Sequence, residues 1–139
     1  MNDNDKPWRR KDIKKIRVVD QNLLNACYFG NYYDVKKFLQ LGANPNYMEE
    51  RDGWRPLHYA SRWGHIPMTL LLLKWGAEIN GFTNSKETAL HKCARWNRKE
   101  LAKILIKKGA LLHYKNSDGN KAMDMTTDPE MKELLNPYH

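Results

Sequence analysis

A motif that recurs about every 33 residues is the strongest constraint on the fold of this chain. Leu57-His58 is followed by Leu90-His91, and Gly76-Ala77 is followed by Gly109-Ala110, both at an offset of 33 residues. A fixed period of this size indicates a stack of similar small units, in which each unit buries its apolar face only against its neighbours. A stack of this kind usually works by binding, because it presents an extended series of helix faces and loops.

Each unit reads as a turn, a short helix, a tight loop and a second helix. The fullest unit starts at Asp52-Gly53, continues through Pro56-Leu57-His58 and ends after a run of leucines at Gly76-Ala77. Proline suits the first turn of a helix, where its missing N–H costs nothing. Glycine suits the position just past a helix end, where a left-handed cap is wanted. The pattern therefore predicts an all-α chain of paired helices.

This unit resembles the ankyrin repeat, whose signature is a glycine turn, Thr-Pro-Leu-His, two small residues, Gly-His, a leucine run and Gly-Ala. The next unit matches through Thr88-Ala89-Leu90-His91, an earlier unit matches more loosely around Ala26-Cys27, and a final unit starts at Asp118-Gly119. The resemblance covers roughly residues 18 to 136. It implies an all-α ankyrin-repeat solenoid of stacked helix-turn-helix units with β-turn fingers. We expect about four repeats and no other domain.

We divide the chain into a basic N-terminal arm and four repeats. The arm covers residues 1–17, and the repeats are expected at about 18–50, 51–83, 84–116 and 117–139. The first and last repeats are expected to act as polar caps, because the outer faces of a stack meet water.

Positive charge is concentrated in the N-terminal arm. The chain has a net charge of +8, and residues 1–17 hold seven basic residues against three aspartates, so they supply half of it. Such a segment can be a nuclear import signal, an arm that contacts RNA, DNA or an acidic protein surface, or a solvated tail. The arm residues that we expect to contact an acidic surface are Arg9, Arg10, Lys11, Lys14, Lys15 and Arg17.

The sequence contains no motif of a catalytic, cofactor or metal site. It has no phosphate-cradling glycine loop, no Gly-x-Ser-x-Gly elbow and no metal-spaced Cys/His cluster. His58 and His91 recur at the repeat period, and the resemblance implies that this histidine hydrogen-bonds within the turn region and braces the next unit. We therefore expect a non-enzymatic protein without catalytic residues, cofactor, metal or small-molecule substrate.

The cysteines and the hydropathy pattern indicate a compartment. Cys27 and Cys93 lie at small-residue positions of the first and third units, so a whole repeat separates them and we expect no disulfide. Reduced buried thiols fit a cytoplasmic or nuclear location. No apolar run approaches the length of a membrane span, so we expect no contact with a membrane.

Aromatic and arginine side chains recur at one register of the repeat. The resemblance implies that the turn tips and the exposed face of each first helix line a concave groove. Trp, Tyr and Arg are the residues most enriched in binding hot spots. The alternative is that the rings cover the inter-helix loops as ordinary packing. The candidate binding residues are Tyr28, Phe29, Arg51, Trp54, Arg62, Trp63, Arg95 and Trp96.

Two functions follow from these features. The first is a protein–protein interaction module, an adaptor, scaffold or accessory subunit that is monomeric by itself. It would bind a partner through the groove and turn tips, while the arm contacts an acidic surface. The alternative is a nucleic-acid-associated protein that holds phosphate through the arm and stacks bases on exposed tryptophan. A protein-binding groove would depend on Trp63 and Trp96 and tolerate moderate salt, whereas phosphate binding falls steeply with salt.

Overall fold

The fold is known from a computed structural model, which describes the backbone of residues 13–138 and the side chains of residues 18–138. Over that range the chain forms α-helices in successive pairs and no β-strand, so the predicted all-α solenoid is confirmed. The elements are α1 (Ile13–Tyr28), α2 (Tyr32–Gln40), α3 (Pro56–Trp63), α4 (Ile66–Lys74), α5 (Ala89–Arg95), α6 (Lys99–Lys107), a 3-10 helix (Ala122–Met125) and α7 (Pro129–Leu135).

The basic arm is only partly within the described residues. Arg9, Arg10 and Lys11 lie outside them, so their expected role stays a prediction. Lys14, Lys15 and Arg17 belong to the first turns of α1, which begins at Ile13 and therefore inside the segment assigned to the arm.

Several helices begin or end where the local sequence supplies a cap. Pro56 occupies the first turn of α3, and Gly64 ends that helix with a φ of 67°, a conformation that glycine adopts without steric cost. At the start of α4 the His65 side chain accepts a hydrogen bond from the backbone N–H of Met68. Asp128 caps α7 in the same way, accepting from the N–H of Met131 at 2.9 Å.

Tight β-turn fingers connect the helix pairs. The finger before α3 is closed by the N–H of Glu49, which donates to the carbonyl of Trp54 at 2.9 Å, and the finger before α5 is closed by Thr83 and Glu87 at the same distance. Neighbouring fingers are also joined, because the N–H of Asn84 donates to the carbonyl of Asp52 at 3.0 Å. The fingers thus form a continuous row along one edge of the stack.

One core runs through all four helix pairs. Fully buried apolar side chains extend from Leu23 in α1 to Leu135 in α7. Small residues such as Ala60 and Cys93 let the helices approach closely, and both are fully buried. Cys27 and Cys93 are buried free thiols.

Two buried histidines brace successive repeats. His58 accepts a hydrogen bond from the N–H of Arg55 at Nδ1 (2.9 Å), and its Nε2–H donates to the carbonyl of Glu87 in the next finger (2.9 Å). His91 repeats the arrangement with the N–H of Thr88 (3.1 Å) and the carbonyl of Asn120 (2.9 Å). Both rings are therefore neutral and protonated on Nε2, and the predicted brace is confirmed.

This neutral state makes the stack sensitive to acid. Burial, together with the nearby charge of Lys92, lowers the pKa of His58 from 6.5 to about 3. The unfolded chain binds the proton in this window and the folded chain does not, so the stability from His58 is complete above pH 6.5 and falls as the pH approaches 3. Between about pH 7.5 and about pH 5 we expect the free energy of unfolding to fall by about 2 kcal/mol through this group.

Urea unfolding at the two pH values measures the loss, with His58→Gln as the test variant and His113→Gln, at an exposed position, as the control. The His58 variant should lose less stability on acidification than the parent and the control. If His58→Gln does not fold, the ring nitrogens of the parent can be followed by NMR. Titration of His58 near its ordinary pKa would contradict the assignment.

Candidate protein-binding groove

Five aromatic side chains from three repeats form a continuous row, which we call the aromatic strip. Its members in order are Phe29, Tyr28, Tyr59, Trp54 and Trp96. The distances between successive ring centroids are 5.0, 5.9, 5.0 and 6.1 Å. Separations of this size are typical of interacting aromatic pairs. The strip therefore crosses from α1 to α3 and on to the end of α5.

Arg62 and Trp63 join the strip at its centre. The guanidinium carbon of Arg62 lies 5.9 Å from the ring centroid of Tyr28, 5.7 Å from that of Trp63 and 5.5 Å from that of Trp96. The indole N–H of Trp63 donates to the carbonyl of Tyr28 at 2.7 Å and so links the first two repeats. The guanidinium is thus held among rings of three successive repeats.

The structure brings the predicted binding residues together on this face, with different degrees of exposure. Phe29 is 75% exposed, Trp63 46% and Tyr28 45%, whereas Trp54 and Trp96 are half-buried against each other. The aromatic residues therefore fit both interpretations considered from the sequence, packing and binding. The inner rings pack against each other, and the outer rings face solvent.

A shallow cavity of about 310 Å³ opens on the same face. It joins Arg51, on the finger before α3, to the strip. Its lining residues are Tyr28, Glu49, Arg51, Asp52, Trp54, Tyr59 and Arg62. Aromatic rings and charged side chains of both signs line the cavity, which suits an amphipathic peptide segment better than a small apolar ligand.

A buried ion cluster lies next to the strip, and the sequence reasoning missed it. The carboxylate of Glu87 accepts from the ammonium of Lys92 at 2.8 Å, from Arg95 at 2.9 Å and from the side chain of Asn116 at 3.0 Å. The side chains of Glu87 and Lys92 are 7% and 6% exposed. The ammonium of Lys92 also lies 4.0 Å from the ring centroid of Trp54. Lys92 thus connects the cluster to the strip.

The charged form of Glu87 is favoured by these partners. Burial by itself would raise the pKa of Glu87, but the hydrogen bond and charge of Lys92, with Asn116 and Arg95, hold it below its ordinary value. The carboxylate is therefore ionised at neutral pH, and the stability that it contributes is lost only as the pH falls below its unfolded pKa.

We call the aromatic strip, Arg62, Trp63 and the cavity together the groove. Sequence comparison identifies the protein family. A family model described as ankyrin repeats in three copies matches residues 23–117. The chain belongs to the ankyrin-repeat family. Ankyrin repeats are generally protein–protein interaction modules. The resemblance on which the predicted architecture rested is thereby confirmed.

Several curated proteins contain ankyrin repeats similar to this chain. The SH3 and multiple ankyrin repeat domains protein 2 of Homo sapiens is 35% identical over 68% of this chain and 7% of its own length. The ARF GTPase-activating protein GIT2 of Rattus norvegicus is 29% identical over 72% of this chain and 13% of its own length. The BRCA1-associated RING domain protein 1 of Caenorhabditis elegans is 28% identical over 96% of this chain and 19% of its own length. The chain spans less than a fifth of each relative.

The part of the chain that the structure describes holds neither a metal-ion cluster nor a membrane-spanning helix. Within residues 13–138, no three His, Cys, Asp or Glu side chains are placed so that they would hold a metal ion. Over the same range, no helix has the length and apolar character that crossing a membrane requires.

The buried cluster makes a testable contribution to stability. Glu87→Gln leaves the buried ammonium of Lys92 without a counter-charge, and we expect the free energy of unfolding to fall by about 3 kcal/mol. Glu78→Gln is the matched control, because its carboxylate is 66% exposed in the ion pair with Arg55, and exposed pairs contribute at most about 1 kcal/mol. Urea unfolding near neutral pH gives both values. Equal losses in the two variants would mean that the buried cluster adds no more than a surface pair.

Proposed function

We propose that this ankyrin-repeat chain is a non-enzymatic adaptor, scaffold or accessory subunit that binds a partner protein through the groove. The observation that carries the proposal is the aromatic strip, with Arg62 and Trp63 at its centre. Isolated exposed aromatic residues are common on soluble proteins, whereas a contiguous row on one face usually marks an interface. Large rings bury much area at a small cost in conformational entropy, so they serve well as anchors.

The partner side of the proposal is an acidic surface or segment. The basic arm supplies half of the net charge of +8, and Arg51 and Arg62 line the cavity beside Glu49 and Asp52. Opposite charge on the partner would speed encounter and fix its orientation, while the rings supply affinity. We propose that the chain is monomeric by itself and works in the cytoplasm or nucleus, where the buried thiols of Cys27 and Cys93 stay reduced.

The relatives support an adaptor role only through their repeats. The name of one relative joins ankyrin repeats to an SH3 domain, and the name of another gives a RING domain. The present chain matches a small part of each, so the activities of those whole proteins are not assigned to it.

Replacement of Trp63 or Trp96 by alanine tests the proposal. We expect each variant to weaken binding of the natural partner at least about thirtyfold, because loss of a central aromatic anchor costs about 2 kcal/mol or more. The partner would be recovered by affinity purification from the native cell, with and without nuclease. Trp75→Ala is the matched control, since Trp75 is 42% exposed but lies at the end of α4, away from the strip.

A protein that is recovered after nuclease treatment by the parent and by Trp75→Ala, and lost with both groove variants, supports the proposal. Thermal melts establish that the variants remain folded. Recovered material that is lost on nuclease treatment but unchanged by the tryptophan substitutions would instead favour the alternative, in which the arm holds phosphate. That result would overturn the proposed function.

A further inference from the structure

Two arginines at the same position of successive repeats have different surroundings. Arg95 pairs with Glu87, with 2.9 Å between Nη2 and the carboxylate oxygen. Arg62 lies 33 residues earlier, and no carboxylate within residues 18–138 pairs with its guanidinium. Its neighbours are the rings of Tyr28, Trp63 and Trp96.

The repeat register explains the difference. The position of Glu87 is occupied one repeat earlier by Trp54, and the position of Lys92 by Tyr59. The second repeat therefore keeps the arginine but replaces the ion pair beside it with a pair of aromatic rings, whose centroids are 5.0 Å apart. The third repeat thus pairs its arginine, Arg95, with a carboxylate, whereas Arg62 of the second repeat has no carboxylate partner among the described residues.

Glu49 and Asp52 share the cavity with Arg62 but are not paired with it. The carboxylate of Glu49 accepts from the backbone N–H groups of Arg51 and Asp52 within its own finger. Neither Glu49 nor Asp52 forms an ion pair with Arg62. Arg51 adds a second positive charge to the lining of the cavity.

The geometry around Arg62 favours a carboxylate as its ligand. Rings on several sides restrict the guanidinium, so less entropy is lost when it binds, and its planar N–H donors match the two oxygens of a carboxylate. Its backbone is also held, because Nε of Arg98 donates to the Arg62 carbonyl at 2.8 Å. Tyr28, Trp54 and Tyr59 line the cavity beside it and offer an apolar surface.

We infer that the groove receives an aspartate or glutamate side chain of the partner protein on Arg62, in the place that Glu87 takes on Arg95, with an adjacent apolar side chain against Tyr28 and Tyr59. The inference rests on the proposed function and specifies the chemistry of its central contact. It identifies the partner segment as a short acidic and apolar sequence.

Selection of short linear peptides from a random library tests the inference. The full chain and its Arg62→Gln variant would be used as separate targets. Lys103→Gln is the matched control, because it removes the same charge from a 52% exposed side chain on α6. The parent and Lys103→Gln should both select peptides in which an acidic residue adjoins an aromatic or aliphatic one. We expect a selected peptide to bind Arg62→Gln roughly tenfold more weakly or worse, because a charge-assisted bidentate contact is lost.

Two further variants sharpen the result. Arg62→Lys keeps the charge without the planar fork and should bind with intermediate affinity. Trp54→Glu places a carboxylate at the position equivalent to Glu87, so it should pair with Arg62 within the chain and weaken the peptide. If Trp54→Glu does not fold, peptide affinities for Arg62→Gln, Arg62→Lys and Lys103→Gln still show whether binding needs the Arg62 guanidinium.

Selected peptides without acidic residues, peptides that bind Arg62→Gln as tightly as the parent, or no enrichment at all would overturn the inference. Binding of the same peptides to Trp63→Ala separates this failure from failure of the proposed function. Peptides that need Trp63 but not Arg62 leave the groove as the binding surface and remove only the acidic contact. Peptides that need neither side chain contradict both.

Discussion

A buried imidazole hydrogen bond helps to fix the register between the second and third repeats, and the groove depends on that register. The Nε2–H of His58 reaches the carbonyl of Glu87 in the next finger. The finger that carries Glu87 is therefore held against α3, and its side chain is directed to Lys92 and Arg95. Because a buried carbonyl without a donor is costly, sliding one repeat past another is strongly disfavoured. The positions of the rings follow from this fixed spacing.

The aromatic strip is a result of repetition with substitution. A regular stack places equivalent positions side by side, so Tyr28-Phe29, Arg62-Trp63 and Arg95-Trp96 become neighbours in space although each pair is a repeat apart in sequence. Identical residues at these positions would give a uniform face. The differences between repeats, above all Trp54 in place of Glu87, give the second repeat a local chemistry of its own.

The sequence predicted the fold more fully than the site. Repeated residues such as His58 and His91 reveal the period and with it the helix pairs, whereas the brace and the placement of the aromatic residues on one face were implied by the resemblance to ankyrin repeats. The ion cluster was not predicted from the sequence because the repeats differ at Glu87, Lys92 and Asn116. Residues that do not recur give no signal when the repeats are aligned. The contact of Lys92 with Trp54 depends on side-chain directions, which only tertiary packing determines.

The hydrogen bond from Trp63 to Tyr28 gives the stack an asymmetry along its axis. In the first repeat Leu24 occupies the position of His58, so no equivalent imidazole brace spans the first junction. There the indole N–H of Trp63 links the two repeats by donating to the carbonyl of Tyr28. An indole N–H does not titrate, whereas the two later junctions each depend on an imidazole that must stay neutral. Acid would therefore weaken the two later junctions before it weakens the first, where Trp63 is joined to Tyr28.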